Sequence, residues 1–236
     1  MLRCTVVRAY KFLNAKYGLD SLWKKRLKQS CVGDLNDPFE LLPFDLTNPA
    51  VRAAALKTKS DMDPERGLLC FSMDWSDPVI WAHYGDKHKG LCLGFEIPEP
   101  NNDDVLKVEY QPKPLQFPLE EYLACSEEEG ERITRKALYT KFDNWKYEKE
   151  VRVWGPLGEQ EKGPRVGPSC EQEDNPLYFV PFNNETLRLV EVIKGIACTK
   201  SDTEILNALG PLAEQIVIRK SRRAHDRYEI VEDQDA

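Results

Sequence analysis

The sequence predicts an α+β fold with a mostly antiparallel sheet, continuous or split, and several helices. Three observations carry that expectation. Apolar runs short enough to be strands recur along the chain, helical spacing is confined to a few stretches between them, and the regular βαβ alternation of a doubly wound nucleotide fold is absent. At 236 residues, with 41% hydrophobic and 31% charged residues, the chain reads as one domain, 1–236, with enough apolar surface for a continuous core.

Residues 4–13 alternate weakly through Val6, Val7, Tyr10 and Phe12 and form the first expected strand. Leu19, Leu22, Trp23 and Leu27 recur at helical spacing, with lysines on the other side, and predict a helix from about Ala15 to Leu27. In Leu35-Asn36-Asp37-Pro38-Phe39-Glu40, Asn and Asp before Pro set a turn, because proline disfavours helical backbone before it. Asn48 as cap and Pro49 at the first position start a helix running to Lys59.

Gly67 to Ser72 is a short buried strand, and Asp77-Pro78 starts a short helix through Trp81 and Tyr84. A polar turn at 85–90 leads to a strand from Leu91 to Ile97, ended by Pro98. Val105 to Tyr110 alternates and is expected to pair with that strand. Glu127 to Phe142, acidic at its start and basic near its end, matches the helix macrodipole.

Asn144 to Val153, NWKYEKEVRV, reads as a strand. A period of two puts Glu148, Glu150 and Arg152 on one face and Tyr147, Lys149, Val151 and Val153 on the other. That face is either solvated or the floor of a site. A Gly- and Pro-rich stretch at about 155–176 is expected to be a mobile loop, followed by strands at Leu177–Phe182 and within Leu187–Cys198. A capped helix at Ser201–Glu214, strands at 216–218 and 228–231, and a frayed acidic tail at 232–236 complete the chain.

The formal net charge of -7 counts against nucleic acid, whose binding depends on neutralising phosphates. The basic clusters Trp23–Lys28 and Arg219–Arg223 read as a solvated helix face and a charged strand end. Seven cysteines, at 4, 31, 70, 92, 125, 170 and 198, form no CxxC and no metal-ligand spacing, and point to reduced thiols in a cytoplasmic protein. The start MLRCTVVRAYKFL lacks a signal-peptide core and cleavage site, and no run is long enough to span a bilayer. A soluble protein without a membrane partner is expected.

No stock catalytic or nucleotide motif is present, and with only His83, His88 and His225 no metal cofactor is expected. Three stretches are nevertheless dense in chemistry. They are Asn36–Glu40, the segment from Phe71-Ser72 to Trp81-Ala82-His83-Tyr84, and Trp145–Arg152. Two functions stay open on these residues themselves: a non-catalytic module whose aromatic and acidic groups hold a peptide or small ligand, and a nuclease with Asp37, Glu40 and Glu148 around Mg²⁺.

Tyr10-Lys11-Phe12, Leu35–Glu40, Leu69–Ser72, Trp81–Tyr84 with Asp86, His88, Lys89 and Gly90, and Lys141 followed by Trp145, Tyr147–Glu150 and Arg152 together resemble the family DUF2971. The resemblance runs from about residue 8 to Ile193-Lys194-Gly195. A more distant resemblance is to ADP-ribosyltransferases, NAD-using enzymes with a split antiparallel sheet. It rests on Tyr10-Lys11-Phe12, Phe71-Ser72 and Glu148-Lys149-Glu150 occurring in that order.

This second resemblance implies NAD as cofactor, a catalytic Glu150 with Glu148 orienting the acceptor, and cofactor contacts from Tyr10, Lys11, Ser72, Trp81, Tyr84 and Tyr147. Apart from that resemblance, Asn36, Asp37, Glu40 and Arg152, from the chemically dense stretches, are expected as binding residues or as structural residues of the turn. The resemblance further implies a macromolecular or small-molecule acceptor in a bacterial or phage-conflict setting. Lys11 departs from the His or Arg of those enzymes, and its ammonium lacks their planar geometry.

Overall fold

The structure is a computed structural model and describes residues 6–62, 66–99, 105–117, 126–161 and 177–234. Its centre is β4 (Leu91–Pro98), where Leu91, Cys92, Leu93, Phe95 and Ile97 are all inaccessible to solvent. Both faces of β4 are therefore covered. Leu91, Leu93, Phe95 and Ile97 pack against α1 (Ala15–Lys24) and α5 (Asp202–Leu209) through Leu22, Ile205 and Leu209. Cys92 points the other way, into a cluster with Ile80 and Trp81 of α3 (Pro78–Tyr84) and Phe12 of β1 (Val6–Leu13).

The main sheet adds β3 (Arg66–Ser72), β5 (Val105–Lys107), β8 (Glu150–Pro156), β11 (Arg188–Lys194), β12 (Val217–Arg223) and β13 (Ile230–Glu232). Its order is β13-β12-β11-β4-β1-β3-β8-β5, antiparallel except for β11 against β12. The fold is α+β with a mostly antiparallel sheet, as expected. Three further strands, β2 (Arg26–Gln29), β10 (Leu177–Pro181) and β9 (Glu159–Glu161), form a small sheet, and β6 (Glu109–Gln111) pairs in parallel with β7 (Thr140–Phe142).

Local signals worked where a cap or proline sits at a helix start. Asn48 accepts from the Ala50 amide ahead of α2 (Pro49–Met62), and Asp77 accepts from the Val79 amide ahead of α3. Ser201 and Glu204 form a capping box on α5, although the helix stops at Leu209 and a 3-10 segment, Gly210–Gln215, takes over.

Other expectations are corrected. The first helix ends at Lys24, because Lys25 takes left-handed backbone (φ 55°) while its ammonium donates to the carbonyls of Leu22 and Ala208; Leu27 belongs to β2 and Trp23 is exposed. The helix α4 (Glu127–Leu138) stops short of Phe142, since the Leu138 carbonyl accepts from Arg152 and the next residues join β6. Val105–Lys107 pairs with β8, at the far edge from β4.

The stretch NWKYEKEVRV is not one strand. Asp143–Glu148 is a 3-10 turn, Lys149 is left-handed (φ 43°), and β8 begins at Glu150. Lys149 is exposed and pairs with Asp74 at 2.6 Å instead of joining an apolar face. The stretch expected as a mobile loop opens with ordered strand, β8 reaching Pro156 and β9 pairing with β10; 162–176 lie outside the described residues. The tail is not frayed at its start: Glu232 pairs with Arg219 at 2.6 Å and Asp233 lies 3.7 Å from Lys220. Residues 235 and 236 lie outside the described set.

No described helix is long and apolar enough to cross a membrane.

Candidate functional site

β1 and β3 are neighbours in the sheet yet meet only where Tyr10 faces Ser72. Towards Leu13 the edge of β3 is taken instead by Ser30, which exchanges backbone hydrogen bonds with Leu68 at 2.9 and 2.8 Å. The sheet is therefore split beyond this pair, and Lys11 spans the gap by donating to the Cys70 carbonyl at 3.0 Å. A cleft of about 420 Å³ opens there, within the range of small-ligand sites.

Lys11, Phe12, Cys70, Phe71 and Ser72 form its sheet side, and Ser30, Asp34, Leu35, Asn36 and Glu40 its loop side. Ile80, His83 and Tyr84 come from α3. Lys141, Glu148, Glu150 and Arg152 come from β7, the 3-10 turn and β8.

The floor is a buried ion network. Arg152, fully buried, donates from Nε and Nη2 to the two Glu150 oxygens at 2.9 and 3.1 Å. Its Nη1 donates to the Leu138 carbonyl and lies 2.6 Å from Glu40 Oε1, an ion pair without hydrogen-bond alignment. Lys141 Nζ is 2.7 Å from Glu148, 3.3 Å from Glu150 and 3.9 Å from Glu40, and sits over the Trp145 ring. Three carboxyl groups thus share two cations, and such pairing offsets the cost of burying charge in a low-dielectric interior.

The two glutamates differ in their proton affinity. Burial resists ionisation of Glu150, but Arg152 and Lys141 outweigh it and hold its carboxyl below the ordinary range. Burial dominates at Glu148; Lys141 opposes it, the neighbouring Glu150 anion adds to it, and the carboxyl rises above the ordinary range. Lys141 is pushed up, because its three carboxylates overcome burial. Tyr84 donates to Glu148 at 2.5 Å and accepts from Asn36 at 2.9 Å; burial and the Glu148 charge hold its phenol protonated. Burial pushes the Lys11 ammonium down.

Of the residues singled out in the sequence, Lys11, Asn36, Glu40, Ser72, Tyr84, Glu148, Glu150 and Arg152 line the cleft. Four do not. Trp81 is fully buried, with its indole donating to the Trp75 carbonyl and its ring edge-on to Phe12, so it has no face to offer a ligand. Tyr10 turns towards Glu191, 3.5 Å away; burial and that charge push its phenol up to about 12. Asp37 caps its own turn by accepting from the Phe39 amide and is not part of the cleft lining that holds Glu40 and Glu148. Tyr147 stays outside the cleft lining, with its hydroxyl 2.8 Å from His83; burial and the nearby Glu148 charge push its phenol up.

Lys141 and His83 were not chosen from the sequence as site residues. Lys141 sits at a boundary that reads as helix, and His83 does not meet His88, which lies against the β12–β13 end. Among the described residues no group of three His, Cys, Asp or Glu side chains is disposed to hold a metal ion.

The basic clusters are largely matched by nearby acids. Arg219 pairs with Glu191 and Glu232, Lys24 with Asp20, and Lys28 lies 3.7 Å from Asp34.

Residues 80–153 of this arrangement have a recognisable pattern of their own. They match DUF2971, a family described as protein of unknown function. The DUF2971 segment carries Tyr84, Lys141, Glu148, Glu150 and Arg152, while Lys11, Glu40 and Ser72 are contributed by earlier chain. No curated protein and no solved structure matches the chain.

Proposed function

We propose that the cleft is the site of an ADP-ribosyltransferase-like enzyme that takes NAD and transfers its ADP-ribosyl group to an acceptor. The observation that carries this reading is the convergence of Lys11, Ser72 and the Glu148/Glu150 pair, from three distant segments, at the split between β1 and β3. NAD supplies a glycosidic bond weakened by the positive charge of its nicotinamide ring.

The residues present fit the nicotinamide riboside end of NAD. An acidic floor suits a sugar that gains positive charge, and Lys11, with one hydrogen bond to a carbonyl, retains N–H donors for hydroxyl or phosphate oxygens. Lys141 and Arg152 are committed to carboxylates, so of the lysines and arginines that line the cleft Lys11 is the one that would meet hydroxyl or phosphate oxygens of NAD. Glu150, held ionised, provides the fixed negative charge. Glu148, with its raised carboxyl, exchanges a proton with the acceptor. Tyr84 fixes Glu148 in place and offers its ring to a planar group.

The expected result is nicotinamide release from NAD by the wild-type chain, lost in Glu148→Gln with the melting temperature preserved. Absence of both nicotinamide release and any NAD-dependent rise in melting temperature refutes the reading.

One observation favours a second reading, a non-catalytic ligand-binding module. Glu150 is tied to Arg152 and Lys141 and almost wholly buried, as a structural ion pair would be. In that case NAD survives incubation intact, and Glu148→Ala changes the binding of a ligand without changing any turnover.

A further inference from the structure

Lys11 and Lys141 line the same cleft and differ in one respect. Lys141 is within 4 Å of three carboxylates. Lys11, among the described residues, has no carboxylate within ion-pair distance; its ammonium donates to the Cys70 carbonyl at 3.0 Å and lies 6.0 Å from the Phe71 ring centre. Its charge has less carboxylate support than that of Lys141.

We propose that Lys11 is a nucleophilic amine, and that the cleft binds a small aldehyde or ketone as a protonated imine on its Nζ. This goes beyond the NAD reading and does not require it. The free amine attacks the carbonyl carbon; the C–N bond forms and the carbonyl electron pair moves to oxygen, which takes a proton from the Glu148 carboxyl. Transfer of a nitrogen proton back to the Glu148 carboxylate leaves a neutral carbinolamine and restores the acid. A proton from Glu148 then converts the hydroxyl to water, the C–O bond breaks, and the nitrogen lone pair forms the C=N bond. The sum is one ammonium and one carbonyl giving one protonated imine and one water, with the proton lost in freeing the amine returned to Glu148.

The surroundings suit each step. Burial pushes the Lys11 ammonium down and Lys28 adds to that effect, while Cys70 and Glu150 oppose it. Lys11 is half-buried, and an amine partly shielded from water in this way is a common origin of imine-forming lysines. Glu148 holds its proton above the ordinary carboxylate range, and Tyr84 orients it. Phe71, its ring centre 6.0 Å from the nitrogen, and Phe12 add apolar wall to the cleft, where water competes less for the imine carbon.

The test uses the full chain, glyceraldehyde as probe and cyanoborohydride to reduce the imine to a stable secondary amine, read by peptide mass mapping at several pH values. Each pH unit by which an amine is lowered makes about ten times more free amine at neutral pH. The expected result is that Lys11 labels about tenfold or more faster than exposed Lys16 at neutral pH. Its lead shrinks as the pH approaches the ordinary lysine range, and Lys141 stays unlabelled. Lys11→Arg keeps the donor to the Cys70 carbonyl and is expected to lose this label alone. Labelling of Lys11 no faster than Lys16, or equal labelling of Lys141, overturns the proposal. The readout needs no variant that folds and no NAD, so nicotinamide release on untreated protein succeeds or fails separately.

Discussion

Replacing Arg152 with Met removes the cation that the cleft floor is built around while keeping an unbranched chain of similar reach. The loss comprises both hydrogen bonds to Glu150, the ion pair to Glu40 and the donor to the Leu138 carbonyl. Removing one partner of a buried pair costs about 3–5 kcal/mol, because the other charge is left unpaired. Lys141 remains 3.3 Å from Glu150 and 3.9 Å from Glu40, which places the expected loss towards the lower end. At roughly 2–4 °C per kcal/mol for a chain of this size, the melting temperature falls by about 6–12 °C.

The assay is urea unfolding with an unchanged m-value, so that the midpoint reports stability. The charge account makes two further demands. Arg152→Met with Glu150→Gln must be less destabilised than the two single changes added together, by about 0.5–3 kcal/mol. The acid limb must also flatten. Glu150 is lowered in the folded protein, so its contribution is present above the ordinary glutamate value and is lost as the pH falls towards the folded one. Without Arg152 that carboxyl rises, and the gap between wild type and variant narrows below about pH 4.5. A loss under about 1 kcal/mol, or strict additivity of the pair, would refute the reasoning.

Glu148 and Glu150 are expected to respond with opposite sign. Glu148 is raised in the folded state, so between its ordinary and raised values stability falls as the pH rises; Glu148→Gln therefore melts at or above wild type at pH 7, whereas Glu150→Gln melts lower. Gly90→Ala brings a Cβ to 2.1 Å from the Leu13 carbonyl, a backbone clash that lowers stability by about 1–3 kcal/mol in thermal unfolding. Ser201→Ala removes the acceptor for the Glu204 amide and costs about 1 kcal/mol by the same measurement, without affecting ligand binding at the distant cleft.

By itself, the sequence determined the features whose causes lie within a few residues. Asn48-Pro49, Asp77-Pro78 and Ser201 mark helix starts because their side chains or rings act on their own first turns. The run Leu91–Ile97 announced a buried central strand because almost every residue in it is apolar. Glu148, Glu150 and Arg152 were grouped by strand alternation, and they do meet, but by another route. Lys149 in left-handed backbone and a preceding 3-10 turn bring Glu148 beside the end of β8.

Tertiary structure decided the rest. A left-handed Lys25 or Lys149 carries no signature in residue type, since glycine is the residue that adopts such backbone without cost; both are held there by hydrogen bonds to distant chain. Pairing of Val105–Lys107 with β8 depends on which strand edge is free, a property of the assembled sheet. Ser30 takes the β3 edge that β1 would otherwise occupy, and this competition opens the cleft. Lys141 joins it only because Leu138 gives its carbonyl to Arg152 and the chain leaves the helix there. Local patterns choose elements by short-range energy, whereas a cleft is made where long-range partners compete for the same backbone groups and the same buried charges.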